Sequence, residues 1–329
     1  MIHGGDIWSF AKEHNIEPHS VIDLSSNINF VKPKIDIDLN RVDTSPYPTY
    51  REMEDKIKIL YGLKDIELFN GATTAISSLF RDIEPSEVVI YAPAYGEYLR
   101  TAQLMGVKSR IINRLRDELF DVPFGSMVIF VNPSTPDGVY YELDELMEYW
   151  ISRECSILID ESFLQFTDFK SLSNYIESYE RVYILKSMTK YYGSAGVRVG
   201  VVASSEIAIK RLKSKEPLWK ISELDCAFIL SALRDTTFDS LSRDKNREAK
   251  DFLIKSLESS SLIERVYHSD VNFLLAKLNS STGEEFNRLI STKNIMVREC
   301  YNFHGLDNRY IRVAVKSIDD LRSLTSIIL

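Results

Sequence analysis

The residues from 184 to 200 constrain the fold of this chain more than any other stretch. They read Ile-Leu-Lys-Ser-Met-Thr-Lys-Tyr-Tyr-Gly-Ser-Ala-Gly-Val-Arg-Val-Gly, so an apolar run typical of a buried strand ends in small hydroxyl residues, a lysine and a glycine-rich turn. Burial at the end of a strand lowers the pKa of a lysine amine, and the neutral amine of Lys190 would attack a carbonyl as a Schiff-base nucleophile. Arg198, eight residues later, carries the planar fork that suits phosphate. The alternative is that both cations are solvated loop charges.

This stretch resembles the signature of the pyridoxal-phosphate (PLP) enzymes of the class I/II aminotransferase superfamily, Ser-x-(Ser/Thr)-Lys followed by Gly-x-x-Gly-x-Arg-x-Gly. The resemblance implies PLP as the cofactor, bound to Lys190 as a Schiff base, with Ser187 and Arg198 on its phosphate. It also implies the α/β architecture of PLP fold type I, a large domain with a mostly parallel sheet flanked by helices and a smaller α+β domain. We expect the large domain at residues 36–215, and the N-terminal segment 1–35 together with the small domain at 216–329.

Two earlier motifs fit the same cofactor. Residues 70–75, Asn-Gly-Ala-Thr-Thr-Ala, open a predicted helix, whose free N–H groups and dipole attract an anion. Ordinary helix starts look similar, so this motif depends on its order relative to Lys190. By resemblance, Gly71, Ala72 and Thr73 cradle the cofactor phosphate. Tyr47, between two prolines, would reach the phosphate in the other subunit, which implies a homodimer.

The middle of the chain alternates predicted strands and helices, a pattern typical of a parallel sheet. Tyr95 and Asp160 follow apolar strands, and the functional side chains of such sheets gather at the carboxyl ends of the strands. The resemblance implies that Tyr95 stacks on the cofactor ring and that Asp160 pairs with its protonated pyridine nitrogen. Such a cation would offset the cost of burying the carboxylate. Taken alone, Asp160 would be interpreted as the cap of the next loop.

The turn at 132–138 departs from the family pattern. It reads Asn-Pro-Ser-Thr-Pro-Asp-Gly in place of Asn-Pro-x-Asn-Pro-Thr-Gly. Thr135 therefore replaces the asparagine that donates to the phenolic oxygen of the cofactor, and Asp137 replaces a threonine. Phe163 replaces a tyrosine that donates to the same oxygen, as it does in the threonine-phosphate decarboxylases. The phenolic oxygen is thus expected to lose two of its usual hydrogen bonds.

The N-terminal segment carries substrate candidates. His-Gly-Gly at 3–5 and Asp-x-Ser-x-Asn-x-Asn at 23–29 resemble the threonine-phosphate decarboxylases, close relatives of the histidinol-phosphate aminotransferases. The resemblance places His3 near the substrate phosphate, and Asn27 or Asn29 at the mouth of the site. Phe30 departs from the proline usual in the family.

The C-terminal segment carries two arginines in short motifs that resemble the phosphate decarboxylases more than general aminotransferases. Arg312 lies in an alternating pattern that predicts a half-buried strand, where a cation needs an anionic partner. By resemblance, Arg312 binds the α-carboxylate of the substrate and Arg298 lies in the substrate pocket.

Composition and charge exclude several classes of protein. A formal net charge of -8 leaves no basic stripe for nucleic acid, and the apolar runs are too short to span a membrane. The amino terminus does not resemble a signal peptide, and three widely spaced cysteines suit reduced thiols, so we expect a cytoplasmic protein. No metal site is predicted.

These motifs predict an enzyme that acts on a small phosphorylated amino substrate. We expect decarboxylation of an O-phospho-amino acid, threonine phosphate or serine phosphate, to an amino-alcohol phosphate. Transamination of a small phosphorylated amine or ketone, as in the histidinol-phosphate aminotransferases, would use the same residues. A third hypothesis is a PLP-fold protein that binds without catalysing, and the presence of Lys190 disfavours it.

Overall fold

A computed structural model describes residues 4–116 and 119–329. The helices of this part are α1 (Ile7–His14), α2 (Arg51–Tyr61), α3 (Gly71–Ile83), α4 (Glu97–Leu104), α5 (Asp144–Ser152), α6 (Met188–Tyr191), α7 (Glu206–Ser214), α8 (Glu223–Ala232), α9 (Phe238–Glu258), α10 (Gly283–Ile290) and α11 (Ile318–Ile328). The strands are β1 (Ile22–Leu24), β2 (Ile66–Asn70), β3 (Glu87–Ala92), β4 (Lys108–Asn113), β5 (Met127–Val131), β6 (Ser156–Asp160), β7 (Val182–Ser187), β8 (Val199–Ala203), β9 (Ile263–Val266), β10 (Phe273–Leu278), β11 (Ile295–Glu299) and β12 (Tyr310–Ala314).

The larger sheet has seven strands in the order β2-β8-β7-β6-β5-β3-β4. Its inner strands are mostly apolar because helices cover both faces, as in other parallel sheets, although β7 ends in Lys186 and Ser187. β4, β3, β5, β6 and β7 run parallel, whereas β8 pairs antiparallel with both β7 and β2. The amino end of β8 therefore lies at the edge where its neighbours have their carboxyl ends. This confirms the predicted α/β class with a mostly parallel sheet.

The smaller sheet has five strands in the order β1-β11-β12-β10-β9. β1 pairs parallel with β11, so Ile22 lies opposite Ile295 from the far end of the chain. The other pairs are antiparallel, and apolar side chains such as Leu253 and Leu324 from α9 and α11 pack in its core. Around the smaller sheet, helices and strands do not alternate as regularly along the chain as they do around the larger sheet. This arrangement is the α+β type that was predicted for the smaller unit.

The core around the larger sheet extends beyond the predicted domain boundary at residue 215. Ile221, Ile229 and Phe238 pack in this core with Met53 and Ile57, the buried apolar residues of α2. The division into residues 36–215 and the remainder stays a prediction. None of the helices in the described ranges has the length and apolarity needed to cross a membrane.

Candidate active site

Lys190 lies in the one-turn helix α6, directly after β7, rather than at the end of the strand itself. Within residues 4–116 and 119–329, no carboxylate forms an ion pair with its ammonium. Burial, together with the charges of Arg312 and Arg198, lowers the pKa of Lys190 to about 8, although Asp160 opposes the shift. A reactive neutral amine is therefore well populated close to neutral pH.

Two glycines allow Arg198 to lie directly against the first turn of α3. Gly71 opens this helix at φ +77°, and a Cβ atom there would lie 2.5 Å from Nη2 of Arg198. A Cβ atom on Gly200 of β8 would lie 2.6 Å from the backbone nitrogen of Ala72. The first N–H groups of a helix lack intrahelical acceptors, so this turn and the guanidinium together form an anion site. Ser187, at the end of β7, lies opposite Gly200 in the sheet.

Asp160 ends β6 and is held by two donors. The hydroxyl of the fully buried Tyr98 donates to its Oδ2, and the backbone nitrogen of Ser162 donates to its Oδ1 at 2.9 Å. Burial raises the pKa of Asp160, which is 6% exposed, and these hydrogen bonds oppose the shift. Tyr95 lies perpendicular to Tyr98 with ring centroids 6.0 Å apart, and its hydroxyl lies 3.3 Å from that of Thr73. Tyr98 is a contact that the sequence analysis did not predict.

Arg298 and Arg312 lie directly opposite each other on the antiparallel strands β11 and β12. Both are buried, with 3% and 7% of their surface exposed, so the strand predicted to be half buried is almost fully buried. Arg312 donates from Nη1 to Oγ1 of Thr135 at 3.0 Å and from Nη2 to the carbonyl of Ser25 at 2.9 Å. Its Nε has no acceptor among the described residues, and burial lowers its pKa to about 10. A buried guanidinium with N–H groups to spare favours an anionic ligand.

The turn that carries Thr135 is fixed by a buried ion pair that the sequence analysis did not find. Nη2 of Arg114 donates to Oδ1 of Asp137, which also accepts from the Ser134 hydroxyl at 2.6 Å. The Tyr141 hydroxyl donates to the other carboxylate oxygen at 3.1 Å. Asp137, one of the departures from the family pattern, therefore orders the turn.

Asn29 has its amide group fully used by the protein. Its Nδ2 donates to the Tyr191 carbonyl and the Ser242 hydroxyl, and its Oδ1 accepts from the Val31 nitrogen and from Asn246. The substrate contact predicted for Asn29 stays a prediction. Both polar atoms of its side chain already form their hydrogen bonds within the protein. Oδ1 of Asn27, by contrast, is buried and has no partner among the residues that the structure describes.

Two further predicted site residues are His3 and Tyr47. His3 lies outside the described residues. Tyr47 is at the surface, 70% exposed, and its ring stacks on Trp219 with centroids 4.0 Å apart. Its contact with a second subunit stays a prediction.

The family model of aminotransferases of class I and II matches residues 34–328. The chain belongs to this family. A histidinol-phosphate aminotransferase of Sinorhizobium meliloti, solved with PLP, has a TM-score of 0.81 at 16% identity and covers 98% of this chain and 93% of its own. The predicted fold type, PLP cofactor and enzyme class are thereby confirmed.

Several known proteins resemble this chain over most of its length. An adenosylcobalamin biosynthesis bifunctional protein of Leptospira interrogans is 26% identical over 98% of this chain, which spans only 40% of that protein. A candidate threonine-phosphate decarboxylase of Caldanaerobacter subterraneus is 27% identical over 97% of this chain and 90% of its own length. The histidinol-phosphate aminotransferase of Clostridium acetobutylicum has a TM-score of 0.83 at 26% identity, covering 93% of this chain and 97% of its own.

The residues of this site fit PLP. The anion site formed by Gly71, Ser187 and Arg198 would hold the phosphate, since a side chain on Gly71 would fill it. Tyr95 and Asp160 would hold the ring, since a pyridinium would offset the burial that raises the pKa of the Asp160 carboxyl. Lys190 offers the amine.

The low pKa of Lys190 predicts its reactivity in the cofactor-free protein. Acylation of Lys190 by acetic anhydride, followed by mass spectrometry, should rise with pH around a midpoint near 8, because only the neutral amine reacts. Arg312→Met removes a charge that lowers this pKa and should move the midpoint upward. A wild-type midpoint above 10, as for a solvated lysine, would contradict the prediction.

Loss of the Asp137 carboxylate should destabilise the protein strongly. Asp137→Ala leaves the buried Arg114 without its counter-ion, so the free energy of unfolding should fall by about 3–5 kcal/mol. Urea denaturation measures this loss, and Asp319→Ala, which removes an exposed ion pair with Arg322, serves as the control with little effect. Adding Arg114→Leu should recover much of the stability, and a double variant as unstable as Asp137→Ala would count against the ion-pair explanation.

A second buried ion pair lies below the site and was also missed. Lys186 of β7 donates to Glu161, the residue after Asp160, at 2.6 Å, and both side chains are buried. A lysine inside an apolar strand was the available signal, because a buried charge requires a partner.

Proposed function

We propose that this protein decarboxylates an O-phosphorylated amino acid, such as threonine phosphate or serine phosphate, to an amino-alcohol phosphate. One observation carries the proposal. Thr135 and Phe163 replace the residues that usually donate to the cofactor, and both help to hold Arg312 in place. Thr135 accepts a hydrogen bond from Arg312, and Phe163 packs edge-on against Phe273, the ring beneath the Arg312 guanidinium at 5.2 Å.

This arrangement favours a reaction in which the carboxylate is the group that leaves. Arg312 is fixed from two sides, and its Nε, which has no acceptor among the described residues, remains for a carboxylate. Orientation decides which bond of the α carbon breaks, and a rigid carboxylate-binding group controls the direction of the bond to the carboxylate. When bound, PLP supplies the electron sink for that bond.

The phosphate of the substrate would be bound by the second buried cation. Arg298 lies opposite Arg312, so the pocket presents two guanidinium groups on one face of the small sheet. A small substrate that carries both a carboxylate and a phosphate matches two adjacent cations. Lys190, whose amine has a low pKa, would return a proton to the α carbon after carbon dioxide has left.

Transamination is the second candidate. It is supported by the similarity to the histidinol-phosphate aminotransferase of Clostridium acetobutylicum. In this case Lys190 would move the proton between two carbon atoms, and Arg312 would bind the amino-acid donor. We further propose a homodimer in which Tyr47 contacts the cofactor phosphate of the other subunit, with the cytoplasm as its location.

Carbon dioxide release distinguishes the two candidates. The PLP-loaded protein is mixed in turn with threonine phosphate, serine phosphate and glutamate, while carbon dioxide and the absorbance spectrum are followed. We expect carbon dioxide from a phospho-amino acid in step with amino-alcohol phosphate. Conversion of the cofactor to its pyridoxamine form by glutamate, without carbon dioxide, would establish transamination instead.

A matched variant tests the observation that carries the proposal. Thr135→Asn combined with Phe163→Tyr restores the family's two donors to the cofactor. We expect the ratio of decarboxylation to transamination to fall, because Arg312 loses its support from the Thr135 hydroxyl. An unchanged ratio would show that these two residues do not select the reaction.

A further inference from the structure

Residues 25–29 form a strap between the two sheets at the candidate site. β1 ends at Leu24 inside the small sheet, and five residues later the backbone nitrogen of Asn29 donates to the carbonyl of Lys190 at 3.0 Å. The strap has no regular secondary structure, so its position depends on the groups that bind its backbone.

Three side chains from the small-sheet side hold the carbonyl groups of the strap. Arg312 lies within β12, Lys316 follows this strand by two residues, and Asn272 directly precedes β10, whose first residue pairs with the last residue of β12. The contacts are Arg312 Nη2 to Ser25 at 2.9 Å, Asn272 Nδ2 to Asn27 at 3.1 Å, and Lys316 Nζ to Ile28 at 2.8 Å.

The strap therefore joins the carboxylate-binding arginine to the amine-bearing helix. Ser25 at one end contacts Arg312, and Asn29 at the other contacts the backbone of Lys190. A shift of the strap would change the direction of the Arg312 guanidinium relative to Lys190. Displacements of about 1 Å in such groups are enough to weaken a reaction considerably.

Two of the three donors are cations, and the proposed reaction uses Arg312 but not Lys316. Lys316 is partly buried and has no ion-pair partner within the described residues. Burial lowers its pKa, Asp23 and Asp320 oppose that shift, and Lys32 adds to it. A hydrogen bond from an ammonium is stronger than a neutral one, so Lys316 is suited to hold Ile28 in place.

We propose that Lys316 is a positioning residue, which fixes the strap and through it the orientation of Arg312 toward the substrate carboxylate. The proposal rests on the proposed function, because that function assigns the carboxylate to Arg312. Lys316 itself contacts neither substrate nor cofactor in this scheme.

A pair of ligands separates positioning from general damage. For the PLP-loaded wild type and Lys316→Met, carbon dioxide release gives the KM for threonine phosphate, and inhibition of that reaction gives the affinity for the phosphate of 1-aminopropan-2-ol, which lacks the carboxylate. For Lys316→Met we expect about tenfold weaker binding of threonine phosphate and little change for the second ligand. Lys316→Arg keeps a charged donor and should recover most of the affinity. Lys32→Met removes a nearby exposed charge and should bind both ligands as the wild type does.

Equal weakening of both ligands, or no weakening of either, would overturn the proposal. Amide hydrogen exchange of residues 25–29 without substrate provides an independent readout. Exchange should be faster in Lys316→Met than in wild type, and unchanged exchange would also overturn the proposal. The exchange measurement tests the role of Lys316 even if the wild type binds neither ligand. Failure of the wild type to bind either ligand would contradict the proposed function, not the role of Lys316.

Discussion

Replacing Lys190 with alanine is expected to abolish turnover, with a loss on the order of 10⁴-fold or more. The substitution removes the amine that would bind the cofactor and move the proton, while the surrounding cations stay in place. Steady-state carbon dioxide release measures the loss. Treatment with borohydride followed by mass spectrometry should find PLP attached to the wild type and none attached to Lys190→Ala.

Lys190→Arg is the matched control because it keeps the positive charge without a nucleophilic amine. It should be as inactive as the alanine variant. Thermal unfolding of both variants checks that they fold. Cofactor attached at another lysine in Lys190→Ala, or substantial turnover by either variant, would show that the amine at this position is not the one used.

Asp160→Asn is expected to lower turnover by about 10²–10³-fold and at the same time to stabilise the cofactor-free protein. Activity falls because a neutral amide cannot keep the cofactor ring protonated. Stability rises because the wild-type carboxylate is buried and its raised pKa reports an unfavourable charge. Carbon dioxide release and thermal unfolding without PLP measure the two effects.

The pH dependence of this stabilisation follows from the same pKa. Because the pKa of Asp160 is raised in the folded state, the folded protein binds more protons than the unfolded chain between the two pKa values. Its stability therefore decreases as the pH rises through that interval. The advantage of Asp160→Asn should be full above the folded pKa and vanish below the unfolded value of 3.8. An advantage independent of pH would mean that the charge is not its cause.

Tyr98→Phe separates the hydrogen bond to Asp160 from the charge itself. It removes one donor to a buried carboxylate, so activity should fall by less than in Asp160→Asn and the cofactor-free protein should lose stability. Stabilisation by Tyr98→Phe would contradict the role of this hydroxyl as a donor.

Features that depend on neighbouring residues could be predicted from the sequence. The apolar runs of β5, β6 and β7 form buried strands because three to five consecutive apolar residues suit a sheet covered on both faces. The order of Gly71, Tyr95, Asp160, Lys190 and Arg198 along the chain, together with the family resemblance, was enough to predict the cofactor.

Contacts between distant residues were not predictable in this way. Thr135 and Arg312 are 177 positions apart, and Arg114 and Asp137 come from different strand ends. The replacement of the family's asparagine by Thr135 predicts the loss of a contact to the cofactor. It does not predict which side chain will form a hydrogen bond with the threonine hydroxyl. Asn29 was expected to bind substrate, yet residues of the two helices α6 and α9 already bind its amide.

The sequence by itself determined the family, the cofactor chemistry and the elements that carry the site, because strand and helix patterns and the motif at Lys190 are local. The tertiary structure alone decided that β8 runs antiparallel, which brings Arg198 onto Gly71, and that β11 and β12 place Arg298 opposite Arg312. The physical reason is that strand order and direction depend on the packing of the whole sheet. No short stretch of sequence contains that information.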